Sequence, residues 1–367
     1  MRALFAAALT LHGLIHLMGP AKAFGLAELP SLRPISPAMG IAWLVAAVLF
    51  LTAGVCLFAW PRGWWAIALA AAVISQGAIV SSWAAAKFGT ALNLLVLVGV
   101  VFGLAVEGPV SLRAQFEQQV DAGLARTAAA EPVTEADLAP LPAAVQRYLR
   151  GAGVVGQLRP QNIHVRMHGR IRSGPNAPWM PFTAEQFSFF DQPTRLFYME
   201  LSEGAWAVQG LHRYVGTVAD MRVKVAGLVP VADAGGEAMT VSETVTMFND
   251  MAILAPATLT DPAIKWAANE DGSAWASFEN AALTVHATLE FNEADELVNF
   301  SSDDRSQLSA DGKTMRRMRW STPIAAPRAF GRLKLSGGGE ARWHEAAGEY
   351  AYIEITFDEV QVNVRQR

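Results

Sequence analysis

The chain has almost no cysteine and, through its first third, almost no charge. Its 367 residues include a single cysteine, Cys56, set inside an apolar run. No disulfide framework, paired-cysteine metal site or C-x-x-C redox motif can be built from it. Before Gly108 the only charged side chains are Arg2, Lys22, Glu28, Arg33, Arg62, Lys87 and Glu107. No Gly-rich phosphate-cradling loop and no G-x-S-x-G elbow occurs, which argues against a common nucleotide hydrolase or serine hydrolase. A net charge of −4 argues against a nucleic-acid partner, which would want a basic face. Low-complexity tracts and internal repeats are missing as well.

Apolar runs fill that first third, at residues 3–18, 38–60, 64–83 and 88–106. A helix needs about 20 apolar residues to cross a bilayer core. The last three runs meet that length. The first closes at Gly19-Pro20 and reads as short, ending in the interface. Trp43, Trp60, Trp64, Trp65 and Trp83 lie mostly near run ends, where amphipathic rings anchor at the headgroups. Small residues at 68–72 and 84–86 permit close helix packing. The first run also fits a secretory signal, with Arg2 ahead of it and Ala21-Lys22-Ala23 as a cleavage site. Its two histidines and the three runs that follow favour a span. Four spans put both ends on one side, with Arg2, Arg62 and Arg113 there and Lys22, Arg33 and Lys87 opposite. This charge count is a tie, and Arg2 tips the orientation toward both ends cytoplasmic.

After Gly108 the pattern changes twice. Leu112, Phe116, Val120 and Leu124 recur at four-residue spacing, which predicts a helix over 111–127. A second helix is expected over 141–150, ended by Gly151 and Gly153. The period then becomes two. Ile163, Val165, Met167 and Ile171 share one face of a strand, and His164, Arg166, His168, Arg170 and Arg172 the other. Further strands are expected at 182–190, 195–201, 206–209, 213–218, 221–225, 264–268, 273–279 and 283–291. Others follow at 297–302, 314–320, 331–335, 340–344 and 350–364, separated by turns such as Asp271-Gly272 and Asp311-Gly312. One helix interrupts them. Thr240 and Glu243 have capping-box spacing, and Val245 and Phe248 give the helix an apolar face that ends before Pro256. A long antiparallel meander with one or two helices is best satisfied by curling around them. The expected fold is thus a four-span membrane α-helical bundle over 1–107 and an amphipathic helix and linker over 108–133. An α+β soluble domain over 134–367 follows, its curved antiparallel sheet a half-barrel around one or two helices.

Several strings resemble those of a known family. They include His12-Gly13-Leu14-Ile15-His16, Lys22-Ala23-Phe24-Gly25-Leu26 and Trp83, with Phe88-Gly89-Thr90 leading to Asn93. Beyond the helices they are Tyr148-Leu149-Arg150, residues 179–186 from Trp179-Met180-Pro181-Phe182, Phe248-Asn249-Asp250-Met251, Asp303-Asp304-Arg305-Ser306 and Trp320-Ser321-Thr322-Pro323. These are similar to an uncharacterised family of bacterial membrane proteins, a domain of unknown function. The resemblance implies the two-part architecture and a bacterial inner membrane, and brings no substrate, cofactor or catalytic residue. In architecture alone, the expected sheet also resembles those of periplasmic lipoprotein-carrier and lipoprotein-sensor proteins.

Three groups of residues are candidates for chemistry. His12 and His16, four apart, share a helix face; two imidazoles so placed can bind a metal or ligate haem, and Ser75, Gln76 and Asn93 can complete a polar cluster. The bland reading is interhelical hydrogen bonding. Glu243 and Asp250, seven apart beside Asn249, can do acid–base work if burial raises one pKa, or can simply cap and pair. Asp303-Asp304-Arg305 can hold a divalent cation or form a turn with an internal salt bridge. Trp179, Phe182, Glu185, Phe187 and Trp206 are candidates to line an apolar cavity, alongside Phe189, Trp266 and Trp275. The leading functional expectation is a membrane-anchored binding protein for an apolar or amphipathic ligand such as lipid. The alternative is a metal- or haem-dependent membrane redox enzyme centred on His12 and His16.

Overall fold

The apolar runs are helices in the computed structural model, which describes residues 2–30, 32–201, 207–309 and 314–367. Contacts divide the chain into two units, one of residues 1–115 with 226–228, the other of 116–225 with 229–367. The first unit holds α1 (Arg2–His16), α2 (Met18–Ala23), α3 (Pro37–Ala59), α4 (Trp64–Ser81), α5 (Trp83–Ala86) and α6 (Gly89–Glu107). Gly19-Pro20 does not end the first run as expected. Pro20 falls in the first turn of α2, where its missing N–H leaves no bond unmade, so helix extends to Ala23. Four stretches are long and apolar enough to cross a membrane: Arg2–Ala23, Pro37–Ala59, Trp64–Ser81 and Gly89–Leu124. At the start of α3, Ser36 Oγ accepts from Met39 N–H and Pro37 takes the first helical position.

This unit packs Leu9, Phe50, Leu57, Trp64, Val96 and Val100 in its interior together with small and polar residues, and leaves large apolar side chains outside. Ala46, Ala47, Ala53, Ala68, Ala71 and Ala72 are buried between helices, with His12, His16, Ser75 and Asn93. Leu4, Leu14, Val48, Val55, Phe58, Val73 and Val98 are exposed. Small interfaces let backbones approach, and the apolar outer surface is far larger than a water-soluble bundle tolerates.

The second unit begins at Phe116, within α7 (Leu112–Leu124), and α8 (Glu135–Leu138) and α9 (Ala143–Gly151) follow before the strands. The meander begins with β1 (Asn162–Ile171), β2 (Met180–Phe189), β3 (Thr194–Leu201), β4 (Val208–Val215), β5 (Val218–Val225) and β6 (Val229–Gly235). After α10 (Glu237–Leu254) come β7 (Ile264–Ala268), β8 (Ala274–Asn280), β9 (Leu283–Phe291) and β10 (Leu297–Ser302). The last are β11 (Trp320–Pro323), β12 (Gly338–Glu345) and β13 (Gly348–Val362). Among the described residues they form one thirteen-stranded antiparallel sheet, in the order β6-β5-β4-β3-β2-β1-β13-β12-β11-β10-β9-β8-β7. Two meanders are thus joined where β1 pairs with β13. Both edge strands, β6 and β7, flank α10 in sequence, so the chain crosses from one edge to the other through that helix. The sheet curls around α10 as a half-barrel. Gly169 marks a close approach of β1 to β13: a Cβ there would sit 1.9 Å from the Glu354 carbonyl oxygen.

The alternation expected on β1 places Ile163, Val165 and Met167 in the core. On the other face, Arg170 forms a fork to Glu354 at 2.7 Å and His168 meets Asp358 at 2.8 Å. From Phe116 onward α7 covers part of this convex face, its Phe116 ring 6.1 Å from Phe187 and 5.7 Å from Tyr198. The strand expected over 314–320 is divided. Met315–Arg317 pairs with Ser306–Leu308 in a separate hairpin, and β11 begins at Trp320. Residues 310–313, with the Asp311-Gly312 turn, lie outside the described residues, as does Trp206.

α10 is a helix through burial rather than propensity. Thr240, Val241, Thr244, Val245, Thr246 and Ile253 are β-branched and stiff in helices. Hydroxyls fold back onto the preceding turn, Thr240 to Gly236 O at 3.1 Å, Ser242 to Ala238 O at 2.8 Å and Thr244 to Thr240 O at 2.8 Å. The capping-box reading of Thr240 and Glu243 is corrected here. The helix starts at Glu237 with Gly236 as N-cap, so both residues lie inside it. Phe248 holds the helix down, its ring 5.5 Å from Phe278 and 5.4 Å from Phe300. Phe248→Ala is therefore expected to destabilise the sheet unit by about 3–5 kcal/mol in chemical denaturation; a loss well under that range would mean the helix is not the core element it appears in packing.

Candidate functional site

The inner face of the half-barrel encloses a cavity of about 140 Å³ against α10. Its walls are mostly apolar, with Met167, Phe197, Met199, Ile253, Ile353 and Phe357 among them. Period two sends Arg195, Phe197 and Met199 of β3 and Gln186 of β2 to this face, while α10 contributes Glu243, Asn249 and Asp250. A charged network sits at one side. Arg195 Nε donates to Asp250 Oδ2 at 2.6 Å, its Nη2 to Gln186 Oε1 at 3.0 Å and its Nη1 to Glu243 Oε2 at 3.3 Å. Gln186 Nε2 also donates to Asp250 Oδ2, at 2.8 Å. Arg305 Nη2 and His212 Nδ1 each lie 3.7 Å from Glu243 Oε1. Thr322 Oγ1 donates to Asn249 Oδ1 at 2.7 Å.

The two carboxylates titrate in opposite directions. Burial alone pushes Glu243 up, but the neighbouring His212 ring and the charges of Arg195 and Arg305 outweigh it and hold the carboxyl at about 2. For Asp250, burial wins over the attraction of Arg195, and its pKa lies above the ordinary value. Arg195 is raised: burial works against its charge, and Asp250 and Glu243 more than offset that.

Arg305 reaches the cavity because its neighbour is anchored outward. Asp304 accepts from the His286 backbone N–H at 2.7 Å and from His286 Nδ1 at 2.8 Å, and pairs with Arg317. Asp303 is exposed. The string Asp303-Asp304-Arg305 therefore splits, with Asp304 tied to His286 of β9 and to Arg317, and Arg305 turned inward. There the Arg305 guanidinium lies 4.4 Å from the Trp320 ring and donates to Tyr352 Oη at 2.8 Å. Tyr352 is skipped in the β12–β13 register between Ala341↔Ile353 and Arg342↔Ala351. That bulge turns it to the same side as Ile353.

The aromatic candidates are dispersed. Phe182 is buried on the inner face, outside the cavity lining. Glu185 and Phe187 face the other way; Glu185 bonds His164 at 3.0 Å, and His164 stacks on Phe187 at 4.2 Å. Trp179 lies under Arg170 and Arg172, at 4.6 and 4.4 Å. Of the candidates named from the sequence, the cavity brings together Glu243, Asp250, Asn249 and Arg305. Arg195, Gln186, His212, Trp320 and Tyr352 join them. An arginine two residues before an aromatic in a buried strand, Arg195-x-Phe197, is the signal that could have found the first of these.

In the helical unit His12 Nε2 lies 2.9 Å from Asn93 Oδ1, which also accepts from Ser75 Oγ at 3.0 Å. An amide oxygen only accepts, so His12 Nε2 carries the proton. His16 Nδ1 donates to the His12 carbonyl at 2.9 Å. The other nitrogens, His12 Nδ1 and His16 Nε2, bear lone pairs and are buried without a hydrogen-bond partner. No group of three or more His, Cys, Asp or Glu side chains placed for a metal occurs among the described residues.

The chain thus combines apolar helices with a half-barrel whose inner face forms a cavity. Residues 131–355 match the model of a family of unknown function (DUF6544), and the chain belongs to that family. None of the curated proteins matches it. Among solved structures it is similar to a DUF1329 family protein from Desulfovibrio piger, at 12% identity and a TM-score of 0.37, covering 62% of this chain and 95% of that one. It is also similar to a LolA superfamily protein from Nitrosomonas europaea, at 8% identity and a TM-score of 0.33, covering 60% and 91%. A Vibrio parahaemolyticus domain named for outer membrane lipoprotein sorting gives 8% identity and a TM-score of 0.33, covering 56% and 87%. The functional reading rests on the cavity itself.

Glu243→Gln tests the network. Removing one partner of a buried ion cluster is expected to cost about 3–5 kcal/mol, because Arg305 loses its carboxylate neighbour and Arg195 one of its two. Glu243 has a depressed folded pKa, so its stabilisation is present above its ordinary 4.5 and is lost as pH falls toward about 2. Melting temperatures of wild type and variant should therefore differ most at neutral pH and converge over that window; a constant gap would show that Glu243 is not held ionised.

Proposed function

We propose that the half-barrel binds an apolar or amphipathic molecule such as a lipid, and that the four helices anchor it in a bacterial inner membrane. The cavity carries this reading: apolar walls with a few converging polar groups at one side are the usual form of a small-molecule site. The apolar outer surface of the helical unit supports insertion. Arg2, ahead of the first helix, favours the cytoplasmic side for both ends. Met199 lines the cavity and is nearly buried, so Met199→Trp would fill the space its neighbours leave. Native mass spectrometry of the full-length protein extracted with its native lipids should show a bound lipid mass on wild type and none on Met199→Trp. A wild type that carries no lipid, or a variant that carries as much, would contradict the reading.

A second reading concerns the helical unit, where the bare His12 Nδ1 and His16 Nε2 can accept a soft metal ion. Two nitrogens fall short of the four ligands of a structural zinc site, which leaves a low-coordinate metal as the version this pair supports. Metal analysis of the purified full-length protein should find a stoichiometric transition metal that His12→Ala and His16→Ala each remove. Metal-free wild type ends this reading.

A further inference from the structure

At the polar side of the cavity two donors stand out, the Tyr352 hydroxyl and Arg305 Nε. Tyr352 Oη accepts from Arg305 Nη1 at 2.8 Å and from Trp320 Nε1 at 3.2 Å. Both its lone pairs are thereby engaged and its own proton is left to give. Arg305 Nε is buried and has no hydrogen-bond partner. The carboxylates nearby do not take up these donors. Asp250 is held by Arg195 and Gln186, and Glu243 stands 3.7 Å from Arg305 Nη2. A buried donor left without a partner is costly, so a ligand that brings an acceptor to this place is favoured over one that brings another donor.

The size of the cavity limits the rest of the molecule. A dry cavity of about 150 Å³ accommodates benzene. The 140 Å³ here has room for a head and the first part of one acyl chain.

We propose that the cavity takes a monoacyl amphiphile with an anionic head. The head sits against Arg305 and Tyr352, and the chain runs along Met199 and Ile353. The inference rests on the binding reading above and adds the head-group chemistry. A carboxylate and a phosphate monoester both supply the acceptor oxygens, and each accepts charge-assisted bonds from guanidinium and phenol.

The test uses the full-length protein in phosphatidylcholine nanodiscs, incubated with dodecanoate, dodecyl phosphate, dodecanol or dodecylamine and read by native mass spectrometry. The chain is constant and only the head changes. A charge-assisted hydrogen bond contributes about 1.5–3 kcal/mol, so an anionic probe should bind at least about tenfold more tightly than dodecanol or dodecylamine. Dodecanoate alone showing this preference assigns a carboxylate, and dodecyl phosphate alone assigns a phosphate; either supports the proposal. Tyr352→Phe keeps the ring on Trp343 and removes the donor, so it should narrow the preference for the anionic probes. Arg305→Gln should abolish it, with a melting curve confirming the fold. Dodecanol or dodecylamine binding as well as the anions, or a preference that survives both substitutions, overturns the head-group assignment while leaving ligand binding standing. No binding of any probe contradicts the binding reading itself.

Discussion

Everything in the half-barrel depends on a helix that carries charge into a core. α10 is buried on nearly every side, and Glu243 and Asp250 go in with it. An ion taken out of water loses several kcal/mol of hydration unless partners replace it. The replacement is geometric: Arg195, on β3 two strands from β1, lies between the two carboxylates and reaches both. A flat sheet could not bring Arg195, His212 and Arg305, from three separate parts of the chain, onto one helix face. Curvature of the sheet, placement of the helix and compensation of charge are therefore one requirement. That requirement also leaves the space beside the network partly unfilled, because arginine and carboxylate heads do not interdigitate as aliphatic side chains do.

The two units solve burial in opposite ways. In the helical unit the interior holds alanines and a chain of polar side chains, His12, Ser75, Asn93, Gln76 and Thr90, and the outer surface is apolar. Hydrogen bonds of this kind are worth making where no water competes. In the sheet unit the convex face carries ion pairs such as Arg170–Glu354 and Arg213–Asp220, and the concave face is mostly apolar apart from the network around Arg195. The first pattern suits a hydrocarbon surrounding and the second suits water. A lipid-binding role for a chain that combines them is consistent on physical grounds.

Much of the architecture was legible. Periodicity located the helices, and runs such as 264–268, 283–291 and 297–302 coincide with β7, β9 and β10, because tight turns and strict alternation leave little freedom there. The start of α10 was misplaced because Thr240 and Glu243 mimic a cap, whereas the true N-terminus rests on Gly236 at φ 89°. The site was only half legible. Glu243 and Asp250 stood out because carboxylates seven apart share a helix face. Arg195 and Tyr352 did not: the first pairs with residues 48 and 55 positions away, and the second faces inward only through a bulge that no period-two pattern reveals. Trp179 and Phe187 drew notice as large aromatics, yet their partners are surface arginines and a stacked histidine on the outer face.

The most direct test of the central claim, that the concave face of the half-barrel is a lipid-type binding site, is an experimental density map of the full-length protein purified with its native lipids. The account predicts continuous elongated density in the cavity, ending against Arg305 and Tyr352 and bordered by Met199 and Ile353. A cavity closed by these side chains, or one that holds ordered water alone, would contradict it.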